Sequence, residues 1–293
     1  MTILVKQLFG LLLFLVASLS LAGGYSCETE NKVSVVYPSG SVLPENLLRF
    51  YIYFDQPMHR EGVLSSVYLA KTDGSRLSGV FLENKFNLWS EDGRRLTLIF
   101  NPGRVKQGLN AHRTFGRALT GGDNYQLVVE SKTKDLRGCH LAETYRKHFL
   151  VSKADHEKPD IRSWKQNQIQ KYTKDVLKVT LNGSQDHVSL AYGLRVKRSD
   201  GTIVAGRIGL SEHEAEWQFF PDNAWRDEDY YLAIQPNFED LAGNRTSNLF
   251  DQPLKSKTET APVLSCAINF YESNKALSSI PAEFALRCPH KML

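Results

Sequence analysis

Apolar and polar residues alternate with a period of two along much of this chain. The clearest case is the range 48–54, whose alternate residues are apolar: Leu48, Phe50, Ile52 and Phe54. The opposite face of the same range carries Arg49, Tyr51 and Tyr53. Similar alternation returns in the ranges 96–100, 125–129, 177–181, 217–219 and 230–234. This period over such lengths is typical of half-buried β-strands, so the sequence predicts an all-β fold.

These segments occur twice in the same order. The first copy reads LRFYIYFDQPM, YLAKTDGSRLSG, TLIFNP, DNYQLVV and DLRGC, and the second reads LKVTLNGSQDH, LRVKRSDGTIVAG, WQFFPD, DYYLAIQ and DLAGN. Each copy holds an Asp-Gly-x4-Gly element, at 73–79 and 200–206. Asp-Gly indicates a tight turn because glycine accepts the positive φ that hairpins need. Short strands with regular turns, and no long amphipathic helix, predict two tandem β-sandwich domains.

The repeat and the changes in composition predict the domain map. It consists of a signal peptide (1–22), a first sandwich (33–152), a linker (153–159), a second sandwich (160–254) and a C-terminal tail (255–293). The linker is polar and ends in Pro159. The tail begins rich in Lys, Ser and Thr and then runs through two cysteines, so we expect a flexible joint followed by a short disulfide-closed segment.

The first residues predict export. Lys6 precedes the apolar run 8–16, and the small residues of Ser20–Ala22 suit a cleavage site. The run is too short to cross a bilayer comfortably, so an uncleaved anchor is less favoured and no membrane span is expected in the mature chain. Lipidation at Cys27 is a second alternative, less favoured because Gly24 stands where an aliphatic residue is usual. We expect a periplasmic or extracellular protein.

The four cysteines fit this compartment. They are Cys27, Cys139, Cys266 and Cys288. All lie beyond the predicted cleavage point, and an even number in an oxidising compartment predicts disulfides. Of the three connectivities we favour Cys27 with Cys139 and Cys266 with Cys288. No Cys-x-x-Cys motif is present, so neither a redox motif nor a zinc knuckle is indicated.

The charge of the chain argues against nucleic acid as a partner. Lys and Arg together number 36 against 32 Asp and Glu, which gives a net charge of +4. The charges are interspersed, whereas nucleic-acid binding asks for a clustered basic face.

The motifs resemble the SbsA-type bacterial Ig-like domain of S-layer and other exported proteins. The range Phe54–Met58 (FDQPM) is similar to that family's Phe-Ser-x-Pro-Met signature. Later positions of the first copy fit in order: Phe100–Pro102, Gly122–Tyr125 and Asp135–Gly138. In the second copy Asp240–Asn244 matches the Asp-x-x-Gly-Asn loop, while the first motif has drifted to Gly183–His187. Cys139 stands where the family has Asn.

The resemblance implies a sandwich of about seven strands per domain and an exported spacer, scaffold or interaction module, with no shared catalytic residues. Tyr125 and Tyr230 each open a strand after acidic or amide residues, a placement similar to the tyrosine corner of Ig-like sandwiches. We therefore expect both tyrosines to have a structural role.

Candidate chemistry is sparse. The common nucleophile, zinc-protease, dinucleotide and phosphate-loop motifs are absent from the sequence. If extended, Glu212–Glu216 places its three glutamates on one face and His213 on the other, which disfavours a metal site. Calcium at the sandwich ends is an alternative, framed by Asp55 and Asp186 or by Asp135 and Asp240, although such residues are more often turn formers. We predict no cofactor and no metal.

These observations favour a non-catalytic exported Ig-like tandem, a cell-envelope scaffold or protein-interaction module whose partner is an envelope protein or glycan. The alternative is an extracellular carbohydrate- or surface-binding accessory protein that uses the inserted loop 103–121, since long loops often carry binding specificity. The candidate binding residues of that loop are Arg104, Lys106, Arg113, Phe115 and Arg117. An enzyme of undescribed type is the third hypothesis.

Overall fold

The computed structural model describes residues 27, 30–82, 88–106, 115–250, 262–271 and 283–288. The predicted signal peptide and Arg113 lie outside these residues. The described residues form two β-sandwiches with few helices, so the predicted all-β tandem is confirmed. Each sandwich encloses its own cluster of buried apolar side chains.

The first sandwich contains seven strands in the described residues. They are β1 (Val33–Tyr37), β2 (Val42–Pro44), β3 (Arg49–Phe54), β4 (Val67–Lys71), β5 (Arg95–Ile99), β6 (Asn124–Val129) and β7 (Tyr145–Ser152). One sheet has the order β1-β3-β5, and the other has the order β2-β7-β6-β4. The pairs are antiparallel except β2 with β7. Phe50, Ile52 and Phe54 point into the core between the sheets, as the alternation predicts.

The second sandwich contains eight strands in the described residues. They are β8 (Lys165–Asn167), β9 (Leu177–Thr180), β10 (Leu194–Arg198), β11 (Gly206–Leu210), β12 (Glu216–Pro221), β13 (Tyr230–Ile234), β14 (Leu264–Ala267) and β15 (Glu283–Ala285). Its sheets have the orders β11-β12-β9-β8-β15 and β10-β13-β14. The predicted tail therefore supplies one edge strand to each sheet.

The helical segments that lie wholly within the described residues are short. They are α1 (Pro102–Val105), α2 (His187–Gly193) and single 3₁₀ turns at Val63–Ser65, Ile161–Ser163 and Glu212–Glu214. Asp186 caps α2, because its side chain accepts a hydrogen bond of 2.8 Å from the backbone N–H of Ser189. None of the helices in the described part of the chain has the length and apolar character of a membrane span.

The two copies repeat the same turn in atomic detail. The backbone N–H of Ser75 donates to the Asp73 carboxylate at 2.8 Å, and Thr202 does the same to Asp200 at 2.8 Å. Gly74 and Gly201 follow with φ values of 86° and 84°. Only glycine adopts such angles without strain, so the predicted Asp-Gly turns have a direct physical reason.

Both tyrosines singled out in the sequence hold a crossing loop. The Tyr125 hydroxyl accepts a hydrogen bond of 3.2 Å from the backbone N–H of Thr120. The Tyr230 hydroxyl accepts one of 2.9 Å from the N–H of Arg226, four residues upstream. These bonds are those of a tyrosine corner and fit the structural role expected for both residues.

The structure contains the disulfides Cys27–Cys139 and Cys266–Cys288. The first joins the start of the described chain to the loop before β7. The second closes the tail, and Cys266 is fully buried in the second core. Because Cys27 is bonded to Cys139, its sulfur is not free for lipidation in this structure. The two disulfides fit an extracellular or exported protein.

Candidate functional site between the two sandwiches

The polar face of β3 is covered by the second sandwich. Tyr51 is only 3% exposed, although the alternation placed it opposite the core-facing residues. Its hydroxyl donates a hydrogen bond of 2.8 Å to the Asp186 carboxylate, which belongs to the second copy. The interface therefore includes the face of β3 that points away from the core of the first sandwich.

Asp186 is the central acceptor of this interface. Its carboxylate receives the Tyr51 hydroxyl and the Ser189 N–H, and the Arg49 Nε lies 3.8 Å from Oδ2. Burial raises the pKa of Asp186, and the Arg49 guanidinium opposes that rise. A buried carboxylate is stabilised only when its partners are in place, so these contacts tie the two sandwiches together.

His187, the next residue, enters an aromatic pocket of the first sandwich. Its imidazole stacks on Tyr37, with ring centroids 3.7 Å apart, and its Nε2 lies 2.9 Å from the Tyr53 hydroxyl. Burial, together with the nearby Arg95 cation, lowers the pKa of His187 to about 4. The imidazole is therefore neutral at physiological pH.

Glu239 lies between two arginines. Arg245 donates to its Oε1 from Nε at 2.9 Å and from Nη2 at 2.7 Å, and Arg49 of the first sandwich donates to its Oε2. Arg49 thus bonds Glu239 and lies beside Asp186. The positive charges of the two arginines balance the negative charges of Glu239 and Asp186. Charge-assisted hydrogen bonds of this kind are stronger than bonds between neutral groups.

A second contact forms around Ser39. The backbone N–H of Ser39 donates to both carboxylate oxygens of Glu214 at 3.0 Å, and its hydroxyl accepts from the N–H of His213 at 2.9 Å. Burial raises the pKa of Glu214. The segment 212–216 is not fully extended. It therefore differs from the extended strand considered from the sequence. Its first residues form a tight turn in which His213 and Glu214 have left-handed backbone angles, with φ values of 63° and 52°.

An apolar contact seals the same interface. The N–H of Leu48 donates to the carbonyl oxygen of Leu241 at 2.9 Å, and the Leu241 side chain joins the core of the first sandwich. Gly243 has a φ of 77°, and a Cβ there would lie 2.6 Å from Leu48 Cδ2. This position requires glycine both for its backbone angle and for the close approach.

The two Asp-x-x-Gly loops use their aspartates as turn formers. Asp135 accepts from the N–H groups of Arg137 and Cys139, and Asp240 accepts from those of Ala242 and Asn244. Although burial opposes it, the bonds from Arg137 and the backbone hold the pKa of Asp135 below its usual value.

Asp240 differs from Asp135 because the first sandwich covers its loop. Burial, with a smaller contribution from the Asp155 charge, outweighs the hydrogen bonds from Asn244 and Ala242 and raises the pKa of Asp240 to about 7. Within the described residues, no group of three or more His, Cys, Asp or Glu side chains is placed to hold a metal ion.

A cleft of about 410 Å³ opens beside these buried pairs. Arg49 supplies one wall from the first sandwich, and the second sandwich supplies the others from α2 and from the loop after β13. Polar and aromatic side chains of its lining include those of Arg49, Asp186, Tyr192, Gln235, Asn237 and Glu239. The lining therefore includes Arg49 of the first sandwich, and its other residues belong to the second.

The four predicted loop residues that the structure describes do not line this cleft. Arg104 donates to the carbonyl oxygens of Ser78 and Arg117, and Arg117 pairs with Glu45 at 3.0 Å. The Lys106 ammonium lies 4.1 Å from the centre of the Phe250 ring. Phe115 is 68% exposed.

The residues that join the sandwiches could not be assigned from the sequence. The available signals were the Arg49, Tyr51 and Tyr53 face of β3, which is too aromatic for a solvated surface, and the drifted motif Gly183–His187. Neither signal identifies its partner, because the pairing depends on how two separately folded units dock.

No family model matches this chain, and no curated protein matches it. The chain is similar in structure to native alpha-2-macroglobulin from Escherichia coli, domains MG0-NIE-MG1, at 12% identity and a TM-score of 0.28 over 82% of this chain and 78% of that one. It is also similar to the N-terminal Ig1-2 module of the Drosophila receptor protein tyrosine phosphatase DLAR (12% identity, TM-score 0.24, 72% and 93% covered). A third similar structure is that of the titin domains z1z2 in complex with telethonin (12% identity, TM-score 0.22, with 70% of this chain and 89% of that one covered). Structural similarities with TM-scores between 0.22 and 0.28 carry no information about function.

Proposed function

We propose that this chain is an exported, non-catalytic tandem of SbsA-type Ig-like domains that acts as a cell-envelope scaffold or protein-interaction module. The proposed domains are 33–152 and 160–254, joined by 153–159. The observation that carries the proposal is the buried interface, in which Arg49, Glu239 and Asp186 fix one sandwich against the other. A fixed pair of sandwiches presents its outer surfaces at a constant distance and angle, which suits a scaffold.

The buried ionisable groups support a structural role for this interface. Asp186 is engaged by Tyr51 and Ser189, and Glu239 is engaged by two arginines. Each carboxylate already accepts hydrogen bonds from protein groups. Charged groups paired in this way are typical of a structural contact between domains. The two disulfides support export, because such bonds persist in oxidising compartments.

Site-specific crosslinking in the native cells tests this proposal. Photoreactive residues replace Leu136 in the first sandwich and Ile203 in the second, two exposed apolar side chains. Tyr172, which is also exposed, serves as the matched position. We expect a stoichiometric envelope protein to be captured from Leu136 or Ile203 and not from Tyr172. Recovery of the chain alone from both positions would contradict the interaction role.

A surface-binding accessory role is the second candidate, and the exposure of Phe115 is the observation that favours it. An exposed aromatic ring on a loop offers a contact for a glycan or an envelope surface. Sedimentation of the protein with purified envelopes measures this binding. The variant Phe115→Ala should reduce the bound fraction if the loop is responsible, and unchanged binding would remove the loop from consideration.

A further inference from the structure

The cleft beside the interface has the dimensions and position of a small-molecule site. Its volume of about 410 Å³ falls within the range of known ligand pockets, which often lie between domains. Arg49 reaches it from β3, while Tyr192 lies in the last turn of α2. Ordered elements from both sandwiches therefore form its walls.

The charges that line the cleft cancel one another. Glu239 receives hydrogen bonds from both Arg49 and Arg245, and Arg49 also lies beside Asp186. An anionic ligand would compete with Glu239 for the guanidinium groups, and a cationic ligand would compete with the arginines for the carboxylates. Either would leave a buried charge with fewer partners, which is costly. The cleft therefore favours a neutral ligand.

The same walls offer free hydrogen-bonding groups. The side-chain amides of Gln235 and Asn237 line the cleft, and neither makes a hydrogen bond to the part of the chain that the structure describes. The Nε of Arg49 also has no hydrogen-bond partner among those residues, but it is buried and faces Asp186 Oδ2 at 3.8 Å, so the two amides are the groups open to a ligand. Each amide has both donors and an acceptor, so the set suits hydroxyl groups, which donate and accept.

Tyr192 adds an aromatic surface at the mouth of the cleft. The side chain is 61% exposed although its backbone is held in α2. An exposed aromatic ring next to planar amides can contact the apolar C–H face of a sugar ring while the amides bind its hydroxyls. We propose that this cleft binds a neutral saccharide of one or two rings. The proposal does not depend on the protein partner, because the crosslinking positions and the cleft are different surfaces.

Isothermal titration calorimetry on the purified mature chain tests this inference. The probes are the neutral disaccharides cellobiose, maltose, lactose and diacetylchitobiose, with glucuronate and glucosamine as charged comparators. We expect at least one neutral disaccharide to bind and the charged sugars to bind more weakly. The absence of heat for every neutral probe at about 10 mM, or preference for a charged sugar, would overturn the proposal.

Substitutions of residues in the cleft then test whether the saccharide binds there. Tyr192→Ala should weaken affinity about tenfold by removing the aromatic contact, and Asn237→Ala should weaken it by removing a hydroxyl partner. Tyr172→Ala is the matched control, an exposed tyrosine outside the cleft, and should bind as the unaltered protein does. Circular dichroism confirms that each variant folds. Unchanged affinity in Tyr192→Ala, or loss in Phe115→Ala instead, would refute a site in the cleft.

Discussion

The imidazole ring of His187 lies flat against the phenol ring of Tyr37, with ring centroids 3.7 Å apart and planes inclined by 10°. The two rings belong to different sandwiches, so the stack reports directly on docking. Tyr53 closes the pocket from a second side through its hydroxyl, 2.9 Å from Nε2. A proton on this ring would place a charge among buried aromatic groups close to Arg95.

This arrangement predicts a loss of stability in acid. The pKa of His187 is about 4 in the folded protein against 6.5 for an ordinary histidine. Between these values the unfolded chain binds more protons, so the stabilisation is complete above pH 6.5 and is lost as the pH falls towards 4. The shift of the pKa corresponds to about 3 kcal/mol at most. Urea unfolding measured across this pH range gives the free energy of unfolding.

The variant His187→Phe separates this effect from other titrations, including that of Asp240, whose raised pKa acts in the opposite direction over an overlapping range. The phenyl ring keeps the stack but carries no proton. We expect the difference in unfolding free energy between the unaltered protein and this variant to shrink as the pH falls. The variant His148→Phe, at an exposed histidine, should show no such trend. A constant difference for His187→Phe would contradict the buried neutral imidazole.

The hydrogen bond from Tyr51 to Asp186 predicts a large effect from removing one oxygen atom. Tyr51→Phe leaves the buried carboxylate without its interdomain donor, which should cost about 1–3 kcal/mol of unfolding free energy. Tyr68→Phe is the matched control, because Tyr68 also bonds a carboxylate, that of Glu130, but near the protein surface. We expect a change below about 0.5 kcal/mol in the control, as for most surface substitutions. Equal losses in the two variants would show that the Tyr51–Asp186 hydrogen bond contributes no more to the unfolding free energy than the Tyr68–Glu130 bond near the surface.

Much of the fold could be predicted because its determinants are local. The alternation in β3 identified Phe50, Ile52 and Phe54 as core residues, and all three are buried. The Asp-Gly turns require only a short side chain and a glycine, both visible in the sequence. The same holds for the tyrosine corners, whose partners lie four or five residues away.

The candidate site could not be predicted because its determinants are distant. Tyr51 and Asp186 are 135 residues apart, and nothing in the sequence around either residue specifies which outer faces dock. The helix α2 was also missed. Its seven residues are too few for a clear amphipathic pattern, and its start depends on the cap at Asp186.

The repeated tyrosine corner predicts equal effects in the two copies. Tyr125→Phe and Tyr230→Phe each remove the hydroxyl that accepts a backbone N–H, and each should lower the unfolding free energy by about 1 kcal/mol. Tyr231→Phe, next to Tyr230 and with no hydroxyl bond among the described residues, is the control and should change little. Chemical denaturation measures all three. A loss in only one copy would indicate that the corner has kept its role in that copy alone.

The two disulfides predict different losses on reduction. Cys27 and Cys139 are separated by 112 residues and Cys266 and Cys288 by 22, so chain entropy predicts stabilisation of about 5 and about 3 kcal/mol. The double variants Cys27→Ala with Cys139→Ala, and Cys266→Ala with Cys288→Ala, remove them one at a time. Urea unfolding with and without reductant measures each contribution, and each double variant should respond only through its remaining disulfide.

The second disulfide also holds the sheet edges in place. Its bond ties β14, which pairs with β13, to the segment that follows β15, which pairs with β8. We therefore expect reduction to release β15 from its edge, seen as faster amide exchange in β8 before the core unfolds. Unchanged exchange in β8 after reduction would show that pairing alone holds this strand. An edge secured in this way suits an oxidising environment, in which the bond persists.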